Sequence, residues 1–258
     1  MLRKSILSLL LAAAPFTIHA QDAPAADTDA GAWTGTGELG LALARGNARS
    51  ESVNAKLAFG KEDARWKHDF HASALRSRGE VTGDFDGDGV DEKRYELSAN
   101  RYELGASSAH KFDPRNYIVG AARYENDDFS PYDYQAVASL GYGHKFIDSE
   151  GTRLSTEIGP GFRRARDSET GLVEDGVVGR GQLEFKHQLT GNTALYDTLL
   201  VETGSDNTFM QNDLGIAVAM NERFALKAGL QARRNSDVEP GMKKTDTLTT
   251  INLVYKIQ

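Results

Sequence analysis

The sequence predicts an all-β fold, an antiparallel transmembrane β-barrel of about twelve strands. Three observations lead to this prediction. Apolar and polar residues alternate along most of the chain, as in strands whose successive side chains point to opposite sides. The alternating segments exceed the about five or six residues of a typical soluble strand and are long enough to cross a bilayer when tilted. Short turns alternate with longer acidic loops, which is the plan of outer-membrane barrels.

The first twenty residues differ in composition from the rest and predict a secretory signal peptide, residues 1–20. Two basic residues precede a short apolar run, and the small residue Ala20 stands at the expected cleavage site. Such a run is too short and too close to the N-terminus for a membrane-spanning helix. Segment 21–31, "QDAPAADTDAG", is small, polar and acidic. We expect it to be a flexible lead to a single barrel domain, residues 32–258.

Twelve segments carry the alternation, beginning with "WTGTGELGLAL". In this first segment Trp33, Leu39 and Leu41 fall on one face, and Thr34 and Glu38 fall on the other. The approximate strand spans are 32–44, 51–61, 64–78, 100–112, 117–126, 134–147, 153–166, 176–188, 193–204, 208–220, 223–235 and 245–257. An even number of strands brings both ends of the barrel domain to the same side, which we take as the periplasmic side.

The connections differ in length between the two ends of the predicted barrel. Those after even-numbered strands are "ED", "DPRN", "DSEGT", "LTGN" and "NE". Several of those after odd-numbered strands are longer and acidic, and the longest is the stretch around 79–99. We therefore expect short periplasmic turns and longer outer loops.

A soluble barrel with its apolar face turned inward is the alternative to a membrane barrel. Side chains fill the interior of a barrel of roughly eight strands, and a twelve-stranded one is wider. Aromatic residues also cluster near both strand ends, with Phe112 and Phe146 before short turns and Tyr124 and Phe162 near longer loops. Two aromatic girdles are expected where a barrel meets two lipid interfaces. These observations favour a membrane barrel, although ordinary packing of aromatics within a sheet is the alternative explanation of the clusters.

The face opposite the apolar one is expected to line the lumen. It carries eleven basic and eight acidic residues, namely Glu38, Lys56, Lys67, Asp69, Glu103, Lys111, Arg123, Glu125, Lys145, Glu157, Arg163, Arg180, Glu184, Lys186, Asp213, Lys227, Arg233, Asp246 and Lys256. Because an unpaired charge in a confined interior is unfavourable, we expect these residues to pair across neighbouring strands and to narrow the lumen. A balanced lumen argues against strong ion selectivity.

Composition excludes several classes of function. The chain has no cysteine, which excludes disulfides, thiol catalysis and cysteine-ligated zinc. Its formal net charge is −7 and becomes more negative when the two basic residues of the leader are removed. We therefore expect no nucleic acid partner.

Four stretches of the chain resemble a bacterial family known as salt-induced outer membrane proteins, a domain-of-unknown-function family. They are "GAWTGTGELGLALARGNARSESVNAKLAF", "RYELGASSAHKFDPRNYIVGAARYENDDFSPYDYQAVASLGYGHKFID", "VETGSDNTF" and "KTDTLTTINLVYKI". The resemblance implies an outer-membrane β-barrel, and it brings no established activity and no catalytic residues. A link to salt is implied by the family name alone. The chain departs from barrels of this class at its end, where Ile257 and Gln258 replace the usual final aromatic residue.

We expect no enzymatic activity, with an outer-membrane lipid hydrolase as the least favoured alternative. His110, His144 and His187 share one position before short turns, and an amphipathic anchor explains this recurrence better than catalysis does. His68 and His71 are three residues apart in a strand and so face opposite ways. The sequence contains no Gly-x-Ser-x-Gly motif of the kind that presents a nucleophilic serine.

The motif "DFDGDGVDE" supplies half of a calcium-binding loop. Asp84, Asp86 and Asp88 stand at loop positions one, three and five, the Val90 carbonyl at seven and Glu92 at nine. Position twelve is a tyrosine where a bidentate glutamate is expected, and no helices flank the loop. A Ca²⁺ site and an ordinary solvated acidic loop are therefore the two hypotheses. We expect no other cofactor.

The functional expectation is an envelope component of the cell outer membrane, linked to salt or osmotic adaptation. A narrow diffusion channel or small-solute transporter is the alternative. The expected partners are outer-membrane lipid and lipopolysaccharide, together with the barrel-assembly machinery during insertion. We expect a monomer.

Overall fold

A computed structural model describes residues 31–44, 49–238 and 243–257. Within them the chain forms twelve β-strands. The strands are β1 (Trp33–Ala44), β2 (Ser50–Glu62), β3 (Trp66–Gly83), β4 (Glu92–Lys111), β5 (Asn116–Asp127), β6 (Tyr132–Asp148), β7 (Thr152–Asp167), β8 (Val173–Thr190), β9 (Thr193–Thr203), β10 (Thr208–Ala219), β11 (Phe224–Asn235) and β12 (Thr245–Ile257). The predicted signal peptide and most of the predicted lead lie outside the described residues. In the described part of the chain we find no helix that could span a membrane.

The strands close into one antiparallel barrel in which each strand pairs with its neighbours in sequence and β1 pairs with β12. Closure provides hydrogen-bond partners for the strands without an open sheet edge, which is the condition for crossing hydrocarbon. One end of the barrel carries the connections 63–65, 112–115, 149–151, 191–192 and 220–223, and we call it the turn end. The opposite end is called the loop end. The predicted fold class and its twelve strands are confirmed.

The hairpin of β3 and β4 differs from the prediction. The sequence led us to expect a loop over 79–99, but strand pairing continues from Arg78 with Leu97 to Gly83 with Glu92. The loop itself is the segment 84–91, and the expectation of a loop over the whole stretch was wrong. Turn-forming residues of the acidic motif dominate the composition of this stretch. The sequence therefore did not indicate that the residues on either side of the motif pair as strands.

The alternation along the strands separates a lipid-facing surface from the lumen. Large apolar side chains on the outer surface are exposed, among them Leu39, Leu57, Phe70, Leu104, Leu140, Ile158, Leu214, Ile216, Leu230 and Leu253. Charged and polar residues on the opposite face of the same strands are buried, among them Arg123, Glu125, Gln135, Arg163, Glu202 and Arg233. This is the reverse of a soluble barrel, whose apolar side chains would be enclosed.

Candidate functional site

The candidate site is the lumen, where charged residues from opposite walls of the barrel meet. We use the name lumen network for seven charged residues near the loop end, Arg101, Glu103, Arg123, Glu125, Asp127, Glu202 and Arg233. Each lies at an inward position of its strand. The alternation that exposes apolar residues to lipid therefore also brings these charges together.

Arg123 on β5 joins the two halves of the network. Its guanidinium donates hydrogen bonds to Glu202 on β9, including one from Nε to Oε1 of 3.4 Å, and its Nη1 lies 3.1 Å from Oε2 of Glu125. Four positions in the strand order separate β5 from β9. The ion pair between Arg123 and Glu202 therefore spans the lumen rather than linking neighbouring strands.

Arg233 on β11 makes a second contact across the lumen. It donates hydrogen bonds to Glu125 and to Asp127 on β5, the latter with Nη1 2.9 Å from Oδ2. In the strand order β5 and β11 are six positions apart, so they lie on opposite walls. Arg101 on β4 joins this half by donating from Nη2 to Oε1 of Gln231, at 2.6 Å.

An aromatic ring lies between the two arginines. The centroid of Phe209 is 4.7 Å from Cζ of Arg123 and 5.0 Å from Cζ of Arg233. Phe209 and Glu125 are each 1% exposed, and Glu202 is 2% exposed. Guanidinium groups stacked on a ring and paired with carboxylates make a dense arrangement. These residues occupy the lumen at this level.

A cavity of about 1010 Å³ lies between the lumen network and the turn end of the barrel. Arg123 and Glu202 line it at one end, and Trp33, Gly60 and Ile257, which lie close to the turn end, line it at the other. The cavity therefore extends from the lumen network towards the turn end. Its lining includes seven basic residues, Lys56, Lys67, Arg101, Arg123, Arg180, Lys227 and Lys256, and seven acidic residues, Glu38, Asp69, Glu103, Glu157, Glu184, Glu202 and Asp213.

Several charges that line the cavity are paired with each other. Nζ of Lys227 lies 2.8 and 3.0 Å from the two carboxylate oxygens of Glu38. Nη1 of Arg180 lies 3.2 Å from Oε2 of Glu157. These pairs give the cavity a balanced charge, and a balanced lining has no strong preference for one sign of ion.

The five histidines considered from sequence occupy two environments. His71 points into the lumen, with Nε2 3.1 Å from Oε1 of Glu103. His68, in contrast, stacks on the outer side against Trp66, with ring centroids 5.8 Å apart. The structure thus places His68 and His71 on opposite faces, as the strand geometry requires.

The remaining three histidines lie beside aromatic rings near the turn end. The ring of His110 is 4.8 Å from that of Trp66, that of His144 is 4.7 Å from Phe146, and that of His187 is 6.4 Å from Phe185. Each contributes to a ring of amphipathic side chains at the turn end. This arrangement agrees with a role in anchoring at the interface.

The acidic loop brings together three of the five residues expected to bind calcium. Asp84, Asp86 and Asp88 offer carboxylate oxygens that lie within 4.8 Å of one another. The amide of Val90 donates to Oδ1 of Asp88 at 2.7 Å, whereas Glu92 is turned to Arg94, whose Nη2 lies 2.9 Å from Oε2. The loop thus brings the three aspartates together but not Glu92. Calcium binding stays a prediction.

Backbone amides stabilise the charged form of Asp84. Gly89 donates to Oδ2 at 2.9 Å and Gly87 to Oδ1 at 2.7 Å. These hydrogen bonds hold the pKa of the Asp84 carboxyl below its ordinary value. At the turn end, the amides of Arg65 and Trp66 lower the pKa of Asp63 in the same way.

Three members of the lumen network were not predicted from the sequence. Arg101 stands two residues before Glu103, so the alternation alone could have placed it inward. Asp127 was assigned to a loop because it lies at the end of β5. Glu202 was missed because β9 carries apolar residues on both faces, which obscures the alternation that identifies an inward position.

The chain is similar in sequence to a protein family and to a relative from Escherichia coli. A family model described as Protein of unknown function, DUF481, matches residues 37–257. The Uncharacterized protein YdiY of Escherichia coli (strain K12) is 28% identical over 163 residues, which cover 63% of this chain and 64% of that protein. The aligned part thus spans less than two thirds of this relative.

Solved structures of outer-membrane barrels are also similar. An outer membrane channel from Pseudomonas putida F1 gives a TM-score of 0.50 at 11% identity, over 88% of this chain and 94% of the channel. The NanC porin gives a TM-score of 0.47 at 9% identity, over 87% of this chain and 98% of the porin. At these identities the channel from Pseudomonas putida supports the barrel fold alone. The family match confirms the resemblance found in the sequence: the chain belongs to the family described as Protein of unknown function, DUF481.

Proposed function

We propose that this outer-membrane barrel is a closed component of the cell envelope that serves adaptation to salt or osmotic conditions. The observation that carries the closed state is the lumen network, in which Arg123 and Arg233 reach carboxylates on the opposite wall. A hydrated ion would have to separate these pairs to pass. Separating them exposes charges that are otherwise satisfied only by each other.

The burial of the network supports a permanent rather than a transient closure. Glu125 and Glu202 have almost no contact with solvent, and Phe209 fills the space between the two guanidinium groups. Salt weakens buried ion pairs far less than exposed ones. A barrel closed in this way would keep its lumen shut over a wide range of ionic strength, which suits a component that acts when salt changes. We propose no enzymatic reaction for this barrel.

Conductance of the purified protein in a planar bilayer tests the closed state. We expect no steady openings from the wild type. The double variant Arg123→Ala, Arg233→Ala removes both cations that cross the lumen, and we expect it to pass cations past Glu125 and Glu202. Arg153→Ala is the matched control, since Arg153 is exposed and remote from the network. Steady openings of the wild type would contradict the closed state.

A deletion strain tests the link to salt. We expect the strain to grow more slowly than its parent at high osmolarity, and a plasmid-borne copy of the gene to restore growth. Divalent-ion concentration is varied in parallel, because the packing of lipopolysaccharide in the outer leaflet depends on divalent ions. Equal growth of deletion and parent strains under all these conditions would remove the salt proposal and leave the closed lumen untouched.

A narrow channel or small-solute transporter is the second candidate. The cavity of about 1010 Å³ favours it, because the cavity occupies the lumen from the turn end up to the network and has room for a small polar solute. In this reading the network would have to rearrange for a solute to pass. Uptake of small neutral and zwitterionic solutes into vesicles that contain the wild type distinguishes the two candidates.

A further inference from the structure

An acidic side chain faces lipid within the apolar surface of the barrel. Asp197 lies on β9 between Tyr196 and Thr198, both of which line the lumen cavity. Because successive side chains of a strand point to opposite sides, Asp197 points outward. Its partners on the neighbouring strands are Phe185 and Leu214.

Asn212 on β10 accompanies Asp197 on the same surface. It lies between Gln211 and Asp213, which also line the cavity, so its side chain points outward as well. Its Nδ2 donates a hydrogen bond of 2.6 Å to Oδ1 of Asp197, and a second, longer contact of 3.4 Å reaches the carbonyl of Thr198. We call Asp197 and Asn212 the lipid-facing polar pair.

Apolar side chains surround this pair on both strands. The outward positions of β9 and β10 above and below it carry Leu195, Leu199, Val201, Met210, Leu214, Ile216 and Val218. The pair therefore lies within the apolar band rather than at either rim. Ionisable residues in such a position are rare, and those that occur have a partner or a function.

The hydrogen-bonding capacity of the pair is only partly used. A carboxylate can accept about four hydrogen bonds, and a primary amide offers two N–H groups and one oxygen. Among the described residues, only Asn212 donates to Asp197, and no donor reaches Oδ1 of Asn212. The second N–H of Asn212 has only the contact of 3.4 Å to the carbonyl of Thr198. The remaining acceptor positions of both side chains face hydrocarbon, where polar groups without partners are unfavourable.

We propose that a second copy of this chain covers the lipid-facing polar pair and that the barrel is a dimer with this surface at its two-fold axis. In a two-fold interface the same patch of both subunits meets itself. Asn212 of one copy then lies against Asp197 of the other. The N–H that otherwise makes only the long contact to the carbonyl of Thr198 can then donate to Oδ2 of the partner's Asp197. The two copies of the pair are complementary to each other.

Depth in the membrane favours a second copy over other occupants. Two barrels inserted in the same direction carry the pair at the same height, so donor and acceptor meet without adjustment. Lipid acyl chains cannot donate a hydrogen bond, and lipid headgroups lie at the rims of the apolar band. This inference does not depend on the proposed function, and it departs from the monomer expected from sequence.

Disulfide trapping in native membranes tests the dimer, because the chain contains no cysteine of its own. Leu199→Cys and Leu214→Cys flank the pair, and Leu104→Cys places the same group on the lipid-facing surface of β4, across the barrel. With a mild oxidant, we expect a covalent dimer from at least one of the flanking variants and only monomer from Leu104→Cys. Heat-dependent gel mobility verifies that each variant is folded.

A second change shows whether the polar pair itself holds the interface. We expect Asn212→Leu, added to the cross-linking variant, to reduce the covalent dimer to the level of Leu104→Cys. Asp197→Asn keeps donors and acceptors at the pair, so we expect it to preserve the cross-link. The proposal is overturned if neither flanking cysteine cross-links more than Leu104→Cys, or if Asn212→Leu leaves the cross-link unchanged.

Discussion

Three rings in the lumen lie over glycines of neighbouring strands. Tyr117 covers Gly143, Tyr196 covers Gly215 and His71 covers Gly105, and in each case a Cβ on the glycine would overlap the ring. Tyr117 in this position also donates from its hydroxyl to Oε1 of Glu157, at 3.2 Å. Glycine is therefore required at these places by the close approach of a ring rather than by backbone conformation.

The glycine beneath Tyr117 gives a prediction about stability. Gly143→Ala forces the ring to move and disturbs its hydrogen bond to Glu157, so we expect the free energy of unfolding to fall by about 1–3 kcal/mol. Gly120→Ala is the control, because a Cβ at Gly120 meets no atom within 4 Å. Urea-induced unfolding of both variants in lipid vesicles measures the difference. Equal midpoints would show that the ring adjusts freely.

The acidic loop gives a prediction about pH. Because the Asp84 pKa is lowered in the folded loop, its contribution to loop order is complete above the pKa of a free aspartate, about 3.9. The contribution is lost as the pH falls through the lowered value. We expect the amide resonances of Gly87 and Gly89 to shift together in that acidic range. In Asp84→Asn, which cannot titrate, the shared shift should disappear.

At the scale of elements, the hairpin of β3 and β4 extends the barrel beyond its neighbours. The register shifts between Ser77 and Arg78, so that Ser98 stands opposite no residue of β3 in the register. The motif "RYEL" occurs at 94–97 and again at 101–104, an odd spacing of seven residues that would place the two copies on opposite faces. Because Ser98 is an extra residue in β4, the alternation of faces shifts by one position there. Tyr95 and Tyr102 are therefore both exposed on the outer surface.

The junction of β1 and β12 is the element at which we expect the barrel to open first. Pairing there runs from Gly35 with Ile257 to Leu39 with Leu253, whereas β1 pairs with β2 along its whole length. Strands with fewer shared hydrogen bonds open more readily. In hydrogen exchange, we expect amides of 40–44 and 245–252 that point to this junction to exchange faster than those between β5 and β6. Uniform protection around the barrel would contradict this.

At the scale of the whole molecule, the lumen network ties opposite walls together. Arg123→Ala leaves Glu202 buried without its cation and Glu125 with Arg233 alone, and we expect a loss of about 3–5 kcal/mol in the free energy of unfolding. The control Arg153→Ala removes an arginine whose side chain is 68% exposed, and we expect a change within about 0.5 kcal/mol. Unfolding in urea, followed by gel mobility without heating, measures both. A small effect of Arg123→Ala would mean that the walls hold without the network.

Much of the barrel could be predicted because one periodic signal encodes it. The twelve strands follow from alternation, which needs only local sequence. The strand ends of β3 and β4 could not be predicted in the same way, because turn-forming residues of the acidic motif mask pairing that depends on the opposite strand. In the lumen network, the inward direction of Arg123, Glu125 and Arg233 could be predicted from the alternation. The inward direction of Glu202 could not, because it lies on a strand that carries apolar residues on both faces.

The sequence by itself determined the fold class, the number of strands and the division into lipid-facing and lumen-facing residues, because side-chain direction in a strand is a local property. Only the tertiary structure decided which charges meet. Arg123 and Glu202 are 79 residues apart and Arg233 and Glu125 are 108 apart, and their pairing depends on closure and on the relative height of opposite strands. The same reason applies to Asp197 and Asn212, whose contact on the outer surface requires the register of β9 against β10.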